Sequence, residues 1–152
     1  MIIKIIEALR IAGTGVGVFL AYYYGDTPKE ILSIMCPWVV ISIAGTSGLE
    51  GLFFGRQAAI EKGYEQGSNY QTQSAIALLS YAVIALVVYL MKWGTNAELT
   101  IVLTFMFFTI FSGANHARSI IQDKNYKWAN LNRPFLAAML TAVLWYPVVG
   151  SF

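Results

Sequence analysis

Five apolar stretches, at residues 2–24, 31–55, 74–93, 99–121 and 135–149, are joined by short loops whose lysines and arginines fall almost entirely on alternate ends. A helix needs about 20 mostly apolar residues to cross a bilayer core. The three middle stretches have that length. The first is interrupted by Glu7 and Arg10, and the last is short. The pattern predicts an all-α, polytopic membrane protein, a five-helix transmembrane bundle forming one integral membrane domain over residues 1–152. Composition agrees: 57% of residues are hydrophobic and 12% charged, against about 25% charged in soluble domains.

The loops orient the bundle. Lys4, Arg10, Arg56, Lys62, Arg118, Lys124, Lys127 and Arg133 fall on one side, and only Lys29 and Lys92 on the other. An excess of Lys and Arg marks the cytoplasmic face. The N-terminus is therefore expected inside and the C-terminus outside, in a multi-pass protein of the cell inner (plasma) membrane. A four-span arrangement, with the last segment lying on the surface, is the alternative.

The first stretch resembles a signal peptide only superficially. Glu7 and Arg10 break its apolar run, and it ends in Tyr22, Tyr23 and Tyr24 rather than in small residues. It reads as a retained helix whose tyrosines sit at an interface. The net charge of +2 is too small for a nucleic-acid partner. Cys36 is the one cysteine, so no intrachain disulfide forms and no zinc site built on cysteine pairs exists.

Thr27, Pro28, Lys29 and Glu30 form a capping box with proline at the first helical position. Ser68 to Gln71 and Thr95 to Glu98 repeat the arrangement, and Asn132, Arg133 and Pro134 read as the start of the last helix. Residues 56–62 and 117–124 continue the helical pattern and are expected to project beyond the membrane on the cytoplasmic side.

Glu50 lies six positions before Arg56, inside the second stretch. A carboxylate there must face protein or water. It shares a helix face with Thr46 and Gln57. Two roles are open: a buried ion pair that holds the bundle together, or a proton, cation or ligand site. Ser47, Gly51 and Gly55 recur every four residues, a spacing that lets helix backbones approach closely. Gly13, Gly15 and Gly17 read the same way in the first helix. The fourth helix carries Ser112, Asn115, His116, Arg118 and Ser119. His116 is the one histidine, and it falls near the depth of Glu50. With Arg56, Gln57 and Gln71, these residues define an expected cytoplasm-facing pocket of Glu50, Asn115, His116, Arg56, Gln57, Arg118 and Gln71. Arg56, Asn115 or Arg118 is the expected partner of Glu50. Tyr126 and Trp128 are expected at the headgroup level.

Gly48 to Phe54, Gly67 to Gln71, Gly113 to His116 and Asn130 to Pro134 resemble an uncharacterised family of small multi-span prokaryotic membrane proteins. The resemblance covers roughly residues 40–145. It implies a small helical membrane bundle, and it implies no activity.

No nucleophile elbow, zinc-protease helix, P-loop or dinucleotide fingerprint is present. Ser112, His116 and Asp123 share one helix, with the last two about 10 Å apart, too far for a hydrogen-bonded triad. Nothing in the sequence identifies an enzyme, a metal site or a cofactor. The expected function is an accessory or ligand- or lipid-binding subunit, in contact with membrane lipids and with further copies or a larger complex. The alternative is an oligomeric transporter or channel subunit using Glu50 as a proton or cation site.

Overall fold

The computed structural model describes residues 2–152, apart from the side chain of Ala129. It is all helical among those residues. We label the helices α1 (Ile2–Tyr24), α2 (Pro28–Lys62), α3 (Asn69–Met91), α4 (Thr95–Gln122) and α5 (Trp128–Val149). Three of them, α2, α3 and α4, are long and apolar enough to cross a membrane. The first turns of α1 and α5 are polar, with Lys4, Glu7 and Arg10 in one and Asn130, Asn132 and Arg133 in the other.

Thr27 caps α2 as its sequence demands. Its side chain accepts from the Glu30 amide at 3.3 Å, while the Glu30 carboxylate accepts from the amides of Thr27 and Asp26. The other two boxes do not form. Ser68 occupies the cap of α3 without a side-chain bond, and Gly94, at φ +87°, takes the cap of α4 that Thr95 was expected to fill. Helix α5 begins at Trp128 rather than at Asn132, and Pro134 lies inside it. Proline is favoured at the first helical position; at the seventh residue of α5, Pro134 instead offers the Asn130 carbonyl no backbone donor.

Helix α2 is the centre of the bundle and touches all four others. It is not straight. Pro37 supplies no backbone donor, and the turn at Ile41–Gly45 widens to a π-helix. Below it, Thr46 turns its hydroxyl back onto the Ser42 carbonyl. Leu32, Met35, Val39, Val40 and Ala44 of α2 pack with Ala85, Val102, Phe105 and Leu144 into a closed apolar core.

Small residues fix the neighbours of α2. A side chain at Gly17 would collide with Trp38, and one at Gly13 with Ser42, so α1 runs antiparallel and close. Against α3, a Cβ at Gly48 would come within 2.9 Å of the Ala75 carbonyl and the Leu79 amide. One at Gly51 would lie 2.6 Å from the Ala75 Cβ, and one at Gly55 would lie 3.5 Å from the Gln71 amide. Gly45 and Gly48 thus join Gly51 and Gly55 at this contact, while Ser47 is half-buried on the adjoining face.

The outer surface is apolar, with Leu9, Phe19, Leu90, Phe107 and Phe111 exposed. Exposed aromatics gather at both ends: Tyr23, Trp93 and Trp145 at one, Tyr70, Tyr126 and Trp128 at the other. Such belts suit membrane–water interfaces.

Candidate functional site

The end of the bundle that carries Arg10, Lys62 and Arg133 holds its principal polar cluster. Glu50 is almost fully buried there, at 2% exposure. Its two oxygens take two different cations. Arg10 of α1 donates Nη2 to Oε2, and Lys62 donates Nζ to Oε1. Arg10 also donates Nε to the Thr46 hydroxyl at 3.1 Å. The carboxylate thus satisfies the demand that a charge in a membrane helix find a partner inside the protein.

Lys62 reaches Glu50 because α2 bends. Twelve residues of straight helix span about 18 Å, further than the two side chains can bridge. Phe54 leaves the helical region, with φ −126° and ψ 18°, and residues 55–62 turn across the base of the bundle. They do not project outward as their sequence led one to expect. On this arm Ala58 and Ala59 are buried, whereas Arg56, Gln57 and Ile60 are exposed. The Gln71 side chain donates to the Gly55 carbonyl at 2.6 Å, satisfying an acceptor beside the kink. Gly63 then ends the arm at φ +73°, a left-handed conformation that glycine adopts without strain.

A second cluster adjoins the first through the backbone. Asn125 donates Nδ2 to the Lys62 carbonyl at 3.0 Å. Asn130, fully buried, donates Nδ2 to the Asn125 carbonyl at 2.9 Å. Its Oδ1 lies 2.6 Å from both the Tyr64 hydroxyl and His116 Nδ1. An amide oxygen only accepts, so Tyr64 and the His116 Nδ1–H both donate to it, which leaves His116 Nε2 as the free acceptor. Burial pushes the Tyr64 phenol up from its ordinary value of 10.0, with Arg133 opposing. Tyr64 therefore keeps its donor proton at neutral pH.

The expected pocket residues accordingly fall in five places. Glu50 anchors the ion cluster and His116 the neighbouring one. Asn115 and Arg118 line an open groove of about 430 Å³ with Tyr64, Ser119, Asp123 and Asn125. Gln71 serves the kink, and Arg56 and Gln57 face outward. The partners of Glu50 are Arg10 and Lys62, not Arg56, Asn115 or Arg118. The bend at Phe54 breaks the helical register that put Gln57 on the Glu50 face.

Arg10, Lys62 and Tyr64 complete the site, and none of the three stood in the expected pocket. Arg10 was readable: a cation inside an apolar run requires an acid, and Glu50 is the acid available. At the opposite end Ser33 donates to the buried Glu98 carboxylate at 2.8 Å. The closed core of α2 separates the two ends. Among the described residues, no three of His, Cys, Asp and Glu stand together as a metal site would need.

Fold and site define a small all-helical protein with membrane-compatible helices and a buried charge cluster at one end. The chain belongs to a family of unknown function, DUF6790, whose model matches residues 5–149. The match takes in most of α1, which the short motifs of the later helices did not reach. Neither the curated proteins nor the solved structures contain a match to the chain.

Proposed function

We propose that this is a small multi-pass protein of the plasma membrane that binds a ligand or lipid at its basic end, as an accessory subunit rather than a conducting one. The observation that carries this reading is the convergence of Arg10 and Lys62, from α1 and α2, on the buried carboxylate of Glu50. Two helices bring their cations to one point at the end where the basic loops gather. The positive-inside rule places that end, and the N-terminus, in the cytoplasm. The membrane domain spans the whole chain in this reading, and it assembles with further copies or a larger complex.

A transporter or channel subunit using Glu50 as a proton or cation site is the second reading. It draws on one observation, a buried carboxylate on a helix distorted by a π turn, a feature frequent at functional sites. Two observations weigh against it. Glu50 is already held by two cations, and apolar side chains fill the bundle between Glu50 and Glu98. Native mass spectrometry of the purified protein and a proton- and cation-flux assay in liposomes separate the two. Bound ligand without flux supports the first reading. Flux that Glu50→Gln abolishes, with no ligand retained, overturns it.

A further inference from the structure

The open groove between the end of the α2 arm and the last turns of α4 presents polar groups that the two clusters leave unused. Its volume is about 430 Å³, and Glu65, Asn115, Arg118, Ser119 and Asp123 are among the residues that line it. Small-molecule sites run to about 300–1,000 Å³. The walls are fixed. Asn125 donates Nδ2 to the carbonyls of Lys62 and Gly63, and the backbone amides of Asp123 and Asn125 both donate to the Ser119 carbonyl. Ser119 itself is buried, at 8% exposure, and opens on the groove. A serine hydroxyl within a helix can turn back on the carbonyl four residues earlier, as Ser80 does on Ile76. That of Ser119 makes no such bond and has no partner among the described residues. Arg118 spends only Nε, on Gln122 at 2.6 Å, which leaves both its terminal nitrogens free.

We propose that this groove binds a small zwitterion that carries an ammonium and a carboxylate, the chemistry of a free amino acid. The inference rests on the ligand-binding reading above and names the ligand class. Charges of both signs line one groove without pairing, since the ion pairs of the described residues are those of Glu50 with Arg10 and with Lys62. The free end of the Arg118 guanidinium is a planar fork that matches the two oxygens of a carboxylate. The carboxylates of Glu65 and Asp123 accept from an ammonium. A simple anion entering the groove would meet Glu65 and Asp123, and a simple cation would meet Arg118. Like charge thus disfavours each half alone, and a molecule carrying both satisfies the lining. The Ser119 hydroxyl and the Asn115 amide supply a donor and an acceptor each for the rest of the ligand.

The test is titration calorimetry on the full-length protein in detergent, with L-alanine, L-glutamine, L-lysine and L-glutamate as probes. Ethylammonium and propionate stand for the separate halves of the zwitterion. At least one amino acid should bind, and neither half should bind at the same concentration. Arg118→Gln should weaken that amino acid about tenfold, the loss expected for one charge-assisted contact. Arg118→Lys, which keeps the charge and loses the fork, should fall between, and it serves as the test if Arg118→Gln does not fold. Ser119→Ala should weaken binding without lowering the unfolding temperature, because its hydroxyl has no partner in the protein to lose. Glu61→Gln, exposed on the arm and outside the groove lining, should bind as the wild type does. Propionate or ethylammonium binding as tightly as the amino acid overturns the zwitterion. Equal affinity in the wild type and Arg118→Gln overturns the site. Native mass spectrometry separates this inference from the wider reading. A retained ligand or lipid, phosphatidylethanolamine included, with no amino acid bound in the titrations rejects the groove proposal and leaves the ligand-binding reading standing. Absence of bound ligand in both experiments rejects both.

Discussion

Glu50 and Lys62 stand twelve positions apart on one helix, and their side chains nonetheless form an ion pair across the bend at Phe54. The bend brings the end of α2 back beneath its own membrane segment. It also puts Lys62 and Arg10, which belong to different helices, on the two oxygens of one carboxylate. The site is therefore a product of the kink as much as of the residues.

Gln71 braces the kink by donating to the Gly55 carbonyl beside it. Gln71→Ala should destabilise the protein by about 0.5–1.5 kcal/mol, the net worth of one hydrogen bond at a half-buried acceptor. Gln71→Glu should not rescue it, because an ionised carboxylate has no proton to donate. Unfolding of both variants in the same detergent checks this. Wild-type stability in Gln71→Ala would show that water satisfies the carbonyl.

Close packing of α2 on α3 should make Gly48 and Gly51 intolerant of larger residues. Gly48→Ala presses a methyl group on the backbone of α3, and Gly51→Leu overpacks the Ala75 contact. Each should lower stability by about 1–3 kcal/mol. Gly15→Ala is the control, since nothing lies within 4 Å of a Cβ there, and it should be neutral or mildly stabilising. Equal melting of all three variants would place the α2–α3 contact elsewhere.

The Tyr64–Asn130–His116 cluster predicts a pH dependence. Because the folded protein raises the phenol above 10.0, the unfolded state releases this proton first as pH rises. The contribution of Tyr64 is thus constant below pH 10.0 and is lost as pH climbs through the raised value. Tyr64→Phe should remove that alkaline loss. Asn130→Ala should cost more at neutral pH, because it strips the acceptor from both Tyr64 and His116. Nitrogen chemical shifts of His116 should report the Nδ1–H tautomer in the wild type and lose that fixed tautomer in Asn130→Ala.

The proposed orientation is open to labelling. A cysteine added after Phe152 should react with an impermeant reagent applied outside intact cells, and one at Lys124 should not. The reverse pattern would invert the bundle.

Much of this architecture is written in hydropathy. Apolar length and the spacing of turn residues mark all five helices, and the capping box at Thr27 marks one start to the residue. Helix ends with polar flanks were less legible. Trp128 to Arg133 read as loop because their polarity matched a loop, yet in the structure Asn130 turns inward and satisfies that polarity within the protein. Glu50 and His116 were legible because a lone charge or imidazole in an apolar helix must find a partner. Arg10 was legible on the same ground, but Lys62 and Tyr64 were not, since the bend at Phe54 that brings them in has no proline or other breaker at its own position. Register arguments along a helix assume it is straight, and here they fail just where the site is built.

The measurement that bears most directly on the site is a double-mutant cycle on Glu50→Gln and Lys62→Met, read as unfolding free energy in one lipid–detergent mixture. Residues in contact couple by about 0.5–3 kcal/mol. A bent α2 that closes the Glu50–Lys62 pair predicts coupling within that range, with the double variant less impaired than the sum of the two single ones. Additive effects, agreeing within about 0.3–0.5 kcal/mol, would mean that the two side chains do not meet, and would contradict both the bend and the charge cluster built on it.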